Sequence, residues 1–247
     1  MTSIDVRSIG GVNFMSLDAS QQKAAARQIG DAGLQVATLA TPLLKWPAPG
    51  RSADDMGDQF GFDPGGKSVD QLYEDAFRCA EVLGTRNIRV FSLLKYDGFR
   101  FADLDADYGK LVRLAERHDV TVHIENEHVC NFHTVADLIA AMEHFGHPRL
   151  RALLDITNAW RAERASEDQV ARLAPFVDQS HFKDWSAAKG RMVALGEGDV
   201  PFAVLLQPLY EEAKSRHLTF VVETHVPDDQ PGATLRSVRA LKRLASY

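Results

Sequence analysis

Short apolar runs recur along this chain, and between them lie longer stretches whose apolar positions return every three to four residues. The first pattern suits a strand buried in a sheet and the second an amphipathic helix, so their alternation predicts βα units around a parallel sheet. Strands are expected at Ile4 to Arg7, Leu34 to Ala40, Asn87 to Ser92, Val120 to Glu125, Arg151 to Asp155, Val177 to Phe182 and Leu218 to Glu223. Helices are expected at Ala19 to Asp31, Val69 to Leu83, Leu104 to His118, Thr134 to Phe145, Glu163 to Ala174, Pro201 to Arg216 and Thr234 to Ala245. Gly33, Gly84 and Gly146 serve as helix stops, Ser68 and Asp103 as N-caps, and Pro201 as a first-turn residue.

These seven units predict an α/β fold: a (β/α) TIM barrel of parallel strands, formed as a single domain over residues 1–247. A closed barrel of this kind has eight units, so one is expected to be missing, and the chain opens directly on a strand. No linker interrupts it. The Gly/Pro/Asp-rich stretch from Trp46 to Lys67 is too long for an ordinary connection and reads as an active-site cover or a dimer loop.

Composition narrows the function without naming it. The formal charge of −6 offers no footprint for nucleic acid or an anionic membrane. Cys79 and Cys130 lack metal-type spacing and read as buried thiols. No basic segment followed by an apolar one opens the chain, and no apolar run is long enough to span a bilayer, so a cytoplasmic location is the expectation.

The chemistry gathers at the strand ends, where parallel barrels carry their functional groups. Four successive strands finish on Glu125, Asp155, His181 and Glu223. One acid after a strand is ordinarily an N-cap or a solvated charge. Four such residues in succession point instead to a site for Mn²⁺, Mg²⁺, Co²⁺ or Zn²⁺, because carboxylates and an imidazole match these cations and unpaired negative charges repel.

Several motifs, in order, carry a resemblance. They are Ile4-Asp5-Val6-Arg7, Thr41-Pro42-Leu43-Leu44-Lys45, Ile88-Arg89-Val90-Phe91-Ser92, Ile124-Glu125-Asn126-Glu127, Asp155-Ile156-Thr157-Asn158-Ala159, His181-Phe182-Lys183-Asp184, Leu195-Gly196-Glu197-Gly198-Asp199 and Glu223-Thr224-His225. Together they resemble the xylose isomerase-like TIM barrels, the group of the sugar phosphate isomerases and epimerases. The resemblance implies a divalent metal held by Glu125, Asp155, His181 and Glu223. It implies that Glu125 and Glu223 also act as acid and base on opposite faces of a keto-sugar, moving a proton through an enediolate. It places Ile4 to Arg7 at the second strand of the family's barrel, and it implies pairing of two barrels as a homodimer.

Further residues are candidates for substrate contact. Lys183 shares strand parity with His181, which points both into the barrel mouth. Glu127 follows Glu125 by two; Asn158, three after Asp155, stands where relatives with several metals often have histidine, which argues for one metal here. Lys45 and His225 complete the set, Lys45 with Arg7 as groups able to meet an anionic substrate from the rim. For Arg7 and Arg89 a structural ion pair is the simpler reading, for His123 a core position, and for Asp184 the capping of a turn. Four readings follow. The first is an isomerase or epimerase of a keto-sugar or polyol ketone, and the second a keto-polyol dehydratase on the same scaffold. A phosphodiester endonuclease is disfavoured by Asn158 and the acidic balance, and a non-catalytic barrel by the intact ligand set.

Overall fold

The computed structural model describes residues 3–53 and 55–245. Its strands in chain order are β1 (Ser3–Val6), β2 (Ser8–Ile9), β3 (Val12–Asn13), β4 (Gln35–Ala40), β5 (Asn87–Val90), β6 (Thr121–Glu125), β7 (Leu150–Asp155), β8 (Val177–Phe182), β9 (Asp184–Ser186), β10 (Arg191–Val193) and β11 (Thr219–Val222). The helices are α1 (Ala19–Asp31), α2 (Val69–Leu83), α3 (Asp105–His118), α4 (Val135–Phe145), α5 (Ile156–Glu163), α6 (Glu167–Leu173), α7 (Phe202–Leu205), α8 (Gln207–Ala213) and α9 (Gln230–Leu244).

Seven strands form one sheet in the order β1-β4-β5-β6-β7-β8-β11, so each strand lies beside the next one delivered by the chain. The pairs β1–β4, β4–β5, β5–β6, β7–β8 and β8–β11 are parallel, and every connection between them carries at least one helix. The seven predicted strands are thus the seven strands of the sheet. The two short hairpins, β2–β3 and β9–β10, were not predicted; two- and three-residue strands are too brief to show a period.

By contact, the described chain falls into two compact units, one running through Glu125 with residues 129–132 and 141–151, the other holding 126–128, 133–140 and the chain from Ala152 onward. In the first unit, local signals set the helix ends. Asp18 and Ser68 each close a capping box, with Gln21 and Gln71, and Gly84 ends α2 in the left-handed conformation. The predicted bounds of α1 and α2 are the observed ones. Asp103 differs: it lies inside a 3₁₀ turn, Phe101–Leu104, that precedes α3, and it accepts the Arg100 N–H at 3.1 Å and the Tyr96 hydroxyl at 2.9 Å. The loop after Lys45 folds back onto the first hairpin, where Asn13 N–H donates to Gly61 O at 3.0 Å. A β-carbon on Gly61 would come within 2.0 Å of Gly11 O, so this approach of two backbones requires glycine.

In the second unit three predicted helices change. A helix absent from the expectation, α5, follows Asp155 directly, and left-handed Arg164 ends it before Ser166 caps α6. The predicted helix from Pro201 to Arg216 is two short ones, with Pro201 as the residue before the first. Pro208 has no N–H to donate to Val204, and its ring crowds that carbonyl, so one continuous helix is not tolerated. Helix α9 starts four residues earlier than expected, with Pro231 in its first turn.

Candidate metal centre

Register builds the centre from the backbone upward. In the parallel β7–β8 pair Asp155 lies opposite His181, and Val222 of β11 lies opposite Phe182. Glu223, the next residue, donates its N–H to Phe182 O at 2.9 Å, which extends the ladder one step and brings its side chain to the same end. Asp155 is fully buried. Its Oδ1 accepts the Asn158 N–H at 2.7 Å, so it caps α5. Its Oδ2 lies 2.7 Å from the Lys183 ammonium, which also stands 3.0 Å from Glu223 Oε2.

Asn126 holds this carboxylate in place by its backbone. Its side-chain amide donates to Asp155 O at 2.9 Å and accepts the Asp155 N–H at 2.8 Å. Asn158 repeats the device, donating to Asn126 O at 3.1 Å and to Glu127 Oε2 at 3.3 Å. Glu127 also meets His128 Nδ1 at 2.6 Å. The hydroxyl of Thr157 donates to Lys183 O, tying α5 to the segment that carries the lysine. Gln179, two residues before His181 and wholly buried, places its side-chain amide 3.1 Å from His181 Nε2. That leaves Nδ1 as the ring atom facing Glu223, 4.0 Å from Oε2.

Glu223 lies in a strongly perturbed environment. Burial opposes its ionisation, yet the Lys183 ammonium, a hydrogen bond from His225 and the charge of His181 hold its carboxyl well below the usual range. His225 is partly exposed and lies 3.2 Å from Glu223 Oε1. Asp184 lies outside this group. It accepts N–H groups of Trp185, Gly196, Gly198 and Val200 at 2.8–3.3 Å, which is the turn-capping role expected of it.

In the first unit Glu125 ends β6 and forms a buried ion pair with Arg89 of β5. The structural pair expected for Arg89 is therefore present, and its partner is one of the four candidate ligands. Lys45 is buried, its ammonium 4.4 Å from the centre of the Phe60 ring and 5.0 Å from that of Phe91. His123 is buried as expected, and so are Cys79 and Cys130, both free thiols; burial pushes the Cys79 thiol up to about 11.

One donor atom from each of Glu125, Asp155, His181 and Glu223 lies within 4.8 Å of the other three. Three carboxylates and an imidazole at that spacing fit a divalent cation of the Mn²⁺, Mg²⁺ or Zn²⁺ type. Sequence reasoning missed Asn126 and Gln179. The signal for Gln179 was its parity with His181; nothing in sequence marked Asn126, whose role depends on a neighbouring strand.

The profile of the xylose isomerase-like TIM barrels matches residues 5–244. The chain belongs to that family. The fold expected from the motif series is thereby established. No match was found among curated protein sequences. Among solved structures, a D-allulose 3-epimerase from Methylomonas sp., in complex with D-allulose, is 16% identical with a TM-score of 0.70, over 99% of this chain and 85% of that one. A xylose isomerase-like barrel from Mycobacterium smegmatis in complex with magnesium is 15% identical with a TM-score of 0.71, over 99% and 84%. A probable 3-DHS dehydratase, AsbF, from Bacillus anthracis is 17% identical with a TM-score of 0.65, over 92% and 82%. At these identities the likeness concerns the fold of this xylose isomerase-like barrel. Its described helices include none long and apolar enough to cross a membrane.

Proposed function

We propose that this protein is a divalent-metal-dependent isomerase or epimerase of a keto-sugar or related polyol ketone. The observation that carries the reading is the convergence of Glu125, Asp155, His181 and Glu223 within 4.8 Å. In this reading those four residues hold the cation, which when bound polarises the substrate carbonyl and acidifies the neighbouring C–H. Glu125 and Glu223 are the acid and base: one removes the proton α to the carbonyl, and the other returns a proton to the resulting enediolate. Arg89 keeps Glu125 ionised and oriented through its buried pair. Lys183, between Asp155 and Glu223, is placed to donate to a substrate oxygen, and Asn158, Glu127, Lys45 and His225 are the further substrate contacts. For His181 to offer Nδ1 to a cation, Gln179 must present its oxygen to Nε2–H, and the 3.1 Å contact accommodates that orientation of the amide.

A dehydratase on the same scaffold begins with the same proton removal and differs in expelling a β-hydroxyl. The AsbF likeness favours keeping it as the second reading. The test is metal content of chelator-free protein beside His181→Ala and Glu223→Ala, followed by a screen of ketoses in deuterated water. About one divalent ion per chain, lost in both folded variants, with deuterium entering at the α-carbon, is expected. A conjugated enone in place of an isomer would select the dehydratase. A folded wild type that takes up no Mn²⁺, Mg²⁺, Co²⁺ or Zn²⁺ would defeat both.

A further inference from the structure

Beside Glu125, in the first unit, three cationic side chains converge on two aromatic rings. The Arg7 guanidinium lies 4.5 Å from the centre of the Phe60 ring, and Lys45 Nζ lies 4.4 Å from the same ring and 5.0 Å from Phe91. The Arg89 guanidinium lies 4.2 Å from Phe91 and 5.4 Å from Phe60. The two rings are stacked on each other at 6.5 Å. Lys45 and Arg89 are 2% and 4% exposed, so both charges are withdrawn from water.

Ring faces attract cations but do not replace the hydration lost on burial. The acids at hand do not balance the charge. Arg89 is paired with Glu125. The loop carboxylates flanking Phe60 serve their own turns: Asp55 accepts the Gly57 N–H at 2.8 Å and Asp58 the Phe60 N–H at 2.7 Å. Asp5, two residues before Arg7 on β1, is the other acid of these strands. Counting both Glu125 and Asp5 against Arg7, Lys45 and Arg89 leaves three positive charges facing two negative ones.

From this juxtaposition we infer that Arg7 and Lys45, framed by Phe60 and Phe91, form a subsite for an anionic group of the substrate, a phosphate or a carboxylate distal to the reacting carbonyl. The inference rests on the isomerase reading for its location: Arg89 joins the cluster to Glu125, the proposed acid or base. An anion here supplies the missing negative charge, and both guanidinium and ammonium groups bind oxyanions through charge-assisted hydrogen bonds.

The experiment compares a six-carbon ketose, its terminal phosphate and its terminal carboxylate by α-proton exchange with the metal-loaded protein. In parallel, binding of inorganic phosphate and of acetate is followed by calorimetry. Wild type, Lys45→Met and Arg7→Gln are used, each checked for folding by circular dichroism; Arg7→Gln carries the test if the buried lysine proves indispensable to folding. The expected result is kcat/KM at least 100-fold higher for one anionic ketose than for the neutral one, with that ratio falling at least tenfold in the variants. Which anion wins separates phosphate from carboxylate. Equal turnover of neutral and anionic ketoses overturns the subsite and leaves the isomerase reading intact. Should no ketose exchange, that reading fails and calorimetry decides: phosphate or acetate binding weakened at least tenfold in the variants upholds the anion site, whereas no binding, or binding the variants do not alter, overturns it.

Discussion

At the scale of single residues, Asp155 performs two tasks. One oxygen caps α5 and the other faces Lys183, so a helix cap and a candidate metal ligand are the same side chain. The general expectation that an acid after a strand is an N-cap holds here, and it does not compete with the metal. What keeps Oδ2 aimed is Asn126, which satisfies both the N–H and the C=O of Asp155. Asn126→Ala leaves these two buried groups without that partner, and should destabilise the protein by about 3 kcal/mol. Urea denaturation would read the loss, and metal titration should show weaker uptake, because the ligand backbone is released. Unchanged metal affinity in a folded variant would contradict this positioning role. The ligands themselves were legible in the sequence because each follows an apolar run. Asn126 was not, because its function is a contact with a strand that lies 29 residues further along.

At the scale of elements, β1, β4, β5, β6, β7, β8 and β11 were legible because burial on a sheet imposes apolar runs that composition cannot disguise. Helices α1 and α2 were legible to the residue because their caps are local chemistry. The hairpin β9–β10 was invisible, since its strands hold only three residues each and its stability comes from elsewhere. That support is Asp184, whose carboxylate gathers N–H groups from Gly196, Gly198 and Val200. A β-carbon at Gly198 would meet Asp184 Oδ1 at 2.3 Å and Trp185 O at 2.4 Å, neither of which is a flexible tip. Gly198→Ala should therefore cost about 2 kcal/mol or more and lower the urea midpoint. Gly190→Ala, where nothing lies within 4 Å but φ is +61°, should cost about 1 kcal/mol. If the two variants proved equal, steric contact with Asp184 would not be what selects glycine at position 198.

At the scale of the whole molecule, the candidate centre is a source of metal-linked stability. Glu125, Asp155 and Glu223 repel one another, and Arg89 and Lys183 offset part of that repulsion. A cation that binds only the folded chain stabilises it by about 2.7 kcal/mol at a hundredfold excess over its Kd. For a chain of this length that corresponds to a rise in Tm of roughly 5–10 °C. Manganese should raise the midpoint in a thermal scan, a chelator should reverse the rise, and His181→Ala should show neither response. A wild type indifferent to both would argue that Lys183 alone balances the centre.

By itself the sequence determined the order of strands and helices, the family and the four candidate ligands. Each of these is written in periodicity or at a strand end, within a few residues. Only the tertiary structure decided which side chains keep those ligands in place: Arg89 on Glu125, Asn126 on Asp155, Gln179 on His181 and Lys183 between two carboxylates. It also decided that Arg7, Lys45 and Phe60, drawn from a strand end and from a loop, meet at one place. The physical reason is range. Backbone periodicity and capping are local and leave a mark on neighbouring residues, whereas charge pairing and ring contacts act across space, and only register and loop closure place their partners.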